Sequence, residues 1–141
     1  FRTGLELSLI YKVSKHFSLV NNSSFNYSRI KEQTEIFNPV LTPPIIINQE
    51  AAFSKSNFTI ALAARYQHHS FIDFANEEKV NSYFLLNSRA SYSIKGFQVS
   101  VYLNNITNTK YFNHGYVDFD GSKKYFVQAP TNYYASIQYS F

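Results

Sequence analysis

Apolar and polar residues alternate along most of this chain, and the alternation is clearest at its carboxyl end. Successive side chains of a β-strand point to opposite faces. The final run therefore predicts a strand with one apolar face and one mostly polar face. The apolar face consists of Tyr133, Ala135, Ile137, Tyr139 and Phe141.

Six further segments show the same period of two, whereas the helical period does not recur. They predict strands at residues 5–12, 17–29, 45–53, 58–67, 83–94 and 97–104. The second segment has the weakest alternation, since Asn21 and Ser23 fall on its apolar face. The sequence thus predicts an all-β, antiparallel fold of about seven strands.

The connections between these strands alternate between short and long. The short ones are at 13–16, 54–57 and 95–96, and the long ones at 31–44, 70–81 and 106–131. Outer-membrane barrels have short turns at one rim and long loops at the other, and their strands need about nine to eleven residues to cross a bilayer. The pattern therefore favours a transmembrane β-barrel over a soluble β-sandwich, which follows no such rule.

Composition supports the membrane interpretation. Twelve Tyr and fourteen Phe make 18% of the 141 residues, and aromatic rings collect at membrane–water interfaces. No stretch reaches the roughly 18 to 20 apolar residues of a membrane helix. The net charge of +4 comes from scattered residues, so no nucleic-acid partner is predicted. Cysteine is absent, which excludes disulfides and thiolate metal sites.

Seven is an odd number for a closed antiparallel barrel, which needs an even count when both ends lie at one rim. Open sheet edges cannot face lipid, because unpaired backbone groups are costly there. We expect the missing strands to precede Phe1, where the chain begins without an initiator Met or a targeting segment. Assembly of one barrel from several chains is the alternative.

Residues 101–112 resemble the penultimate-strand signature of TonB-dependent outer-membrane receptors. The matching positions are Asn105, Ile106, Asn108, Lys110 and Tyr111, with Ile106 where Leu is usual. Residues 125–141 are similar to the closing strand of that family, although Thr131 and Asn132 replace the basic residue that commonly follows Pro.

The resemblance implies that residues 1–141 are the C-terminal portion of a 22-stranded barrel whose plug domain and N-terminal strands are absent. It implies a Gram-negative outer membrane and energised uptake of a scarce nutrient, most commonly an iron–siderophore or similar metal chelate. The implied partners are outer-membrane lipid, the barrel-assembly machinery, an extracellular ligand, and TonB only through the absent plug.

Three groups of residues are candidates for function. The long last loop could contact a ligand through His114, Tyr116, Asp118 and Asp120. Charges on the polar faces are expected to line the lumen or touch the plug, namely Glu6, Arg65 and Arg89. Tyr139 and Phe141 resemble the signal read by the barrel-assembly machinery.

No metal site or cofactor is predicted. His68 and His69 are adjacent, and neighbours on a strand diverge, so we expect them not to share a metal. No nucleophile–base pair or phosphate-binding glycine motif is present, so the chain is not expected to be an enzyme. The alternatives are a small or multi-chain outer-membrane pore or adhesin, and a soluble β-sandwich binding module.

Overall fold

The computed structural model of the chain describes residues 1–140, which form strands and connecting loops. No helix in this range is long and apolar enough to cross a membrane. The strands are, in chain order, β1 (Arg2–Lys12), β2 (Phe17–Ser28), β3 (Ile30–Glu32), β4 (Glu35–Phe37), β5 (Ile45–Lys55), β6 (Phe58–Gln67), β7 (Ser70–Phe71), β8 (Lys79–Val80), β9 (Tyr83–Ile94), β10 (Phe97–Asn104), β11 (Phe112–Val117), β12 (Lys123–Val127) and β13 (Asn132–Tyr139).

Seven long strands form one antiparallel sheet in the order β1-β2-β5-β6-β9-β10-β13. Each long strand pairs with the next long strand along the chain, as in a barrel meander. All seven predicted strands are confirmed. The six short strands form three hairpins, β3–β4, β7–β8 and β11–β12, which lie within the three long connections. These connections all emerge at one end of the sheet, here called the loop side, and the short turns lie at the other, the turn side.

The strand register places most apolar residues of the long strands on a single face. One row runs straight across six strands, and every member of it is apolar: Phe17, Phe53, Ile60, Ala90, Val101 and Ala135. A one-residue slip in any pair would move one strand's apolar set to the opposite face. We call this side of the sheet the apolar face and the other the polar face.

The apolar face is bare. Ile60 and Leu62 on β6 are 45% and 47% exposed, and Val101 on β10 is 50% exposed. By contrast, Ala61 and Ser100 on the polar face are each 3% exposed, as expected on the inner side of a curved sheet. No second sheet covers the apolar residues within the described range, so the chain is not a β-sandwich.

Aromatic residues form two belts on the apolar face. The turn-side belt comprises Tyr11, Phe17, Phe53, Phe58, Tyr92, Phe97 and Tyr139, and the loop-side belt comprises Phe25, Tyr27, Tyr66, Phe84 and Tyr133. Phe58 and Tyr66 are eight residues apart, which corresponds to about 26 Å along a strand. With a strand tilt of about 40°, the belts are about 20 Å apart, close to the height of the apolar band of outer-membrane barrels.

The short turns differ slightly from their predicted positions. Because β5 continues to Lys55, the second turn consists of two residues rather than four. The predicted tight turn at Lys95 and Gly96 is confirmed, with φ angles of 47° and 82°, the left-handed pair that a type I′ hairpin requires. A Cβ on Gly96 would lie 2.8 Å from the carbonyl oxygen of Ser140.

The buried apolar core lies mainly at the loop side. Val80 is 1% exposed and Ile72 is 6% exposed, and both belong to the β7–β8 connection. Tyr83 and Leu85, at the start of β9, are each 8% exposed. The long connections are therefore packed onto one another and onto the sheet end, which positions the candidate site.

Candidate functional site

Asn105 directly follows β10 and organises the base of the last long connection. Its φ is 50°, a left-handed conformation that Asn tolerates better than most residues, and it is 3% exposed. Its side-chain oxygen accepts a hydrogen bond from the Thr109 N–H at 2.9 Å. Its amide nitrogen donates to the carbonyl oxygens of Thr109 at 3.0 Å and Ala129 at 3.2 Å.

Other bonds join the same segment to β9 and to the start of β13. The Asn105 N–H donates to Asn87 Oδ1 at 2.8 Å, and the Ile106 N–H donates to the Leu86 carbonyl at 2.8 Å. The Thr131 hydroxyl donates to the Asn105 carbonyl at 2.7 Å. The structure therefore gives Asn105 and Ile106 a role in closing the loop base, whereas Lys110 is exposed.

Tyr111 connects this segment to the polar face. Its ring packs on Tyr83 with centroids 4.6 Å apart, and burial, followed by the neighbouring Tyr83, raises the pKa of Tyr111. The Tyr83 hydroxyl donates to Gln67 Oε1 at 2.9 Å, and Arg65 donates to the same oxygen at 3.0 Å. A series of side-chain contacts thus links Tyr111, in the last connection, through Tyr83 to Gln67 and Arg65 on β6.

The predicted lumenal charges all lie on the polar face, but they do not form one cluster. Arg89 pairs with Glu50 at 3.7 Å, and both side chains are partly exposed. Arg65 instead donates to Asn48 at 3.1 Å as well as to Gln67. Glu6 is exposed on β1 and forms no ion pair within residues 1–140.

The β11–β12 hairpin carries the four residues predicted as ligand contacts. His114 and Tyr116 share its outward side with Phe126, at ring-centroid distances of 4.9 Å and 6.3 Å from Phe126. Asp118 and Asp120 instead shape the tip, since they accept the Phe119 and Ser122 N–H groups, each at 2.8 Å. The Ser122 hydrogen bonds lower the pKa of Asp120.

The inward side of the same hairpin is anchored to the β7–β8 hairpin. Lys123 pairs with Glu78 at 2.7 Å, and this hydrogen bond and charge raise the pKa of Lys123. Gly115 permits close approach of the two strands, because a Cβ there would lie 2.8 Å from the Lys124 carbonyl oxygen. The outward aromatic side of His114, Tyr116 and Phe126 is thereby held in a fixed orientation.

A second contact joins the first and second long connections. The Asn38 amide nitrogen donates to Asn76 Oδ1 at 2.9 Å, and the Asn76 amide nitrogen donates to the Asn38 carbonyl at 3.0 Å. Arg29 also donates to Asn38 Oδ1. Beside this contact lies a cavity of about 330 Å³ whose lining includes Arg29, His69 and Phe71.

The expected divergence of His68 and His69 is wrong. The chain leaves β6 at Gln67, so strand alternation does not apply, and the two ring centroids are 4.2 Å apart. His68 Nδ1 accepts the His69 N–H at 2.8 Å. Burial, with smaller contributions from His68 and Lys79, lowers the pKa of His69.

Within the described range, no group of three or more His, Cys, Asp or Glu side chains is placed to hold a metal ion. Asp73, in the acidic second connection, accepts the Glu78 N–H at 2.9 Å and thus stabilises its own turn. At the turn side, Tyr139 packs on Phe97 with centroids 4.6 Å apart. Phe141, the other residue of the predicted assembly signal, lies outside the described residues.

Sequence reasoning missed Phe126 as the partner of His114 and Tyr116. The available signal was that Lys124 and Phe126 are two positions apart and so would share one face if residues 123–127 formed a strand. It also missed the Asn38–Asn76 contact, which joins residues 38 positions apart and leaves no local signal.

Solved structures with the same fold include iron-chelate receptors and transporters. The siderophore receptor PiuA from Acinetobacter baumannii superposes with a TM-score of 0.79 at 15% identity over 98% of this chain and 21% of that chain. The ferric yersiniabactin uptake receptor FyuA from Yersinia pestis superposes with a TM-score of 0.86 at 18% identity, over 99% of this chain and 23% of that chain. The ferric citrate transporter FecA superposes with a TM-score of 0.87 at 19% identity, over 97% of this chain and 24% of that chain.

The chain spans about a fifth to a quarter of the length of these proteins. No protein-family model matches its sequence, and no curated protein matches it either. At these identities the likeness concerns the fold, and the predicted resemblance of the chain to a barrel segment of this family is confirmed at that level. The chain has the fold of a segment of the β-barrel of TonB-dependent siderophore receptors.

Proposed function

We propose that residues 1–141 are the C-terminal portion of the barrel of an outer-membrane receptor that takes up a ferric chelate in a Gram-negative bacterium. The observation that carries this proposal is the bare apolar face between two aromatic belts, in a sheet with the fold of three iron-chelate receptors and transporters. Hydrocarbon chains of the membrane would cover that face, and the polar face would line the lumen.

The position of charge supports this orientation. Glu6, Glu50, Arg65 and Arg89 all lie on the polar face of the long strands. An Arg at the bilayer midplane of a barrel's lipid face costs about 2–4 kcal/mol, whereas a wet or protein-filled lumen tolerates charge. Glu6, Arg65 and Arg89 would contact the plug or line the substrate route.

Ligand contact is assigned to the outward side of the β11–β12 hairpin. His114 and Tyr116 present exposed rings next to Phe126, and the inner side of the hairpin is anchored by the Lys123–Glu78 pair. A rigid aromatic surface loses little conformational entropy on binding. Asp118 and Asp120 would act indirectly, by fixing the shape of the tip.

Two partners act through parts of the protein other than these loops. Energy coupling to TonB would pass through a plug domain preceding this segment. Tyr139 and Phe141 would form part of the last-strand signal read by the barrel-assembly machinery.

The proposal is tested with the full-length receptor and a panel of iron-55-loaded citrate, catecholate and hydroxamate chelates. A strain expressing the receptor should accumulate at least one chelate, and a protonophore should abolish the accumulation. Uptake that survives the protonophore would indicate a passive pore. Failure to accumulate any metal chelate would contradict the receptor proposal.

The hairpin assignment needs its own variants. Tyr116→Ala should weaken binding of the transported chelate more than about fivefold, as expected for truncation of a contact worth over about 1 kcal/mol. Val127→Ala is the matched control, because Val127 lies on the same hairpin, is 81% exposed and is outside the aromatic side. Equal affinities for the two variants would remove this hairpin from the ligand site.

A further inference from the structure

The turn side of the sheet is uniformly basic. The residues that bear this charge are Lys12, Lys15, Lys55 and Lys95, and all four are exposed. No Asp or Glu occurs in residues 10–18, 52–60 or 92–99, which form the turns and adjoining strand ends. The nine remaining basic residues are equal in number to the nine acidic residues, so the formal net charge of +4 resides entirely at this rim.

Within residues 1–140, no ion pair neutralises the turn-side lysines. The ion pairs of residues 1–140 are Arg89–Glu50 on the polar face and Lys123–Glu78 at the loop side. The acidic residues closest in sequence, Glu6 and Glu50, lie in the middle of β1 and β5. The rim therefore presents a positive field that an external anion can complement.

The lysines adjoin the turn-side aromatic belt. Lys55 lies on the apolar face of β5, two residues beyond Phe53 and directly opposite Phe58 on β6. Lys95 occupies the turn between β9 and β10, next to the Phe97–Tyr139 ring pair. Rings at this level mark the boundary between hydrocarbon and headgroups, and a lysine amine beside them is within reach of the headgroup phosphates.

We propose that this rim, defined by Lys15, Lys55 and Lys95 with the adjoining belt, binds the phosphate groups of anionic glycerophospholipids in the leaflet that it faces. The proposal rests on the membrane-spanning part of the proposed function and not on the identity of any transported ligand. Positive charge at a membrane interface attracts anionic lipid by about fivefold in affinity for each lysine. The binding would fix the depth of the barrel and enrich such lipids around its turn side.

The test uses the full-length receptor in mild detergent and native mass spectrometry with dioleoylphosphatidylglycerol or dioleoylphosphatidylcholine as the probe. The wild type should bind the anionic lipid more tightly than the zwitterionic one. The K15Q/K55Q/K95Q variant should lose at least fivefold in affinity for phosphatidylglycerol and keep its affinity for phosphatidylcholine. The K15R/K55R/K95R variant keeps the charge and should restore the preference.

A matched control removes three exposed lysines from the loop side, as K31Q/K79Q/K124Q. This variant should retain the preference for phosphatidylglycerol. If both triple variants lost affinity for phosphatidylglycerol equally, the net charge of the protein alone would explain lipid binding, and the proposal would be overturned. The proposal would also be overturned, in favour of a cell-wall polymer as the partner, by a second result. In that case the wild type would show no lipid preference but would sediment with purified peptidoglycan, and this sedimentation would require the turn-side lysines. Chelate uptake is measured separately, so that failure of the lipid test leaves the receptor proposal standing.

Discussion

The side-chain nitrogen of Asn105 donates a hydrogen bond to the carbonyl oxygen of Ala129, a residue 24 positions further along the chain. This bond joins the end of β10 to the segment before β13 and so closes the base of the longest connection. The first prediction concerns this residue. Asn105→Ala should reduce the free energy of unfolding by about 2–4 kcal/mol, since it removes several hydrogen bonds and leaves buried partners unsatisfied.

Guanidinium unfolding of the full-length protein in detergent micelles measures this loss. Asn104→Ala is the control, because the Asn104 side-chain nitrogen makes one bond, to Asn132, and its loss should cost about 1 kcal/mol. Asn105→Gly separates backbone from side chain, since Gly accepts the positive φ of this position. A Gly variant as stable as the wild type would show that the Asn105 amide contributes nothing.

The second prediction places Arg on neighbouring residues of β6. Leu62 is 47% exposed on the apolar face, and Ala63 is half-buried on the polar face. Leu62→Arg should destabilise the folded protein by about 2–4 kcal/mol, because it exposes a charge to hydrocarbon. Ala63→Arg should cost less than half as much. Folding titrations in lipid bilayers measure both, and equal costs would mean that the two faces have the same surroundings.

The third prediction concerns the stacked rings of Tyr102 and Tyr134, which lie 4.4 Å apart at 9° and join β10 to β13. A double-mutant cycle to Ala should give a coupling free energy of about 0.5–1.5 kcal/mol, as for other aromatic pairs. The same cycle with Tyr133, which projects from the opposite face, should give a coupling near zero. Similar couplings in both cycles would argue against the stack as a stabilising contact.

The fourth prediction is a dependence of the β6–β9 connection on pH. The pKa of His69 is lowered in the folded protein, so the unfolded connection binds a proton more readily. Stability of the connection is therefore present above the usual His pKa of about 6.5 and is lost as the pH falls below it.

Hydrogen exchange of residues 68–82, corrected for the intrinsic rate, should show lower protection at pH 5.5 than at pH 7.5. His69→Gln should reduce this difference, whereas His16→Gln, at a distant turn, should leave it unchanged. Protection that is independent of pH in the wild type would contradict the proposed linkage.

The long strands could be predicted from sequence because their alternation is local. For example, the alternation of apolar and polar residues within the eight residues of β10 is enough to place Phe97, Val99 and Val101 on one face. The β11–β12 hairpin was missed, since a register irregularity between Phe112 and Gly115 breaks the period of two. The pairing of Lys123 with Glu78 was beyond prediction, because it depends on how two separate connections pack.

The most direct test of the membrane-facing sheet is a nitroxide scan of residues 60–64 on β6. The full-length protein, in a background free of other cysteines, would carry one label at a time in phosphatidylcholine–phosphatidylglycerol bilayers. Oxygen, which dissolves in hydrocarbon, should relax labels at Ile60, Leu62 and Ala64 strongly and those at Ala61 and Ala63 weakly. Oxygen accessibility that is low at all five positions would mean that protein, and not lipid, covers the apolar face.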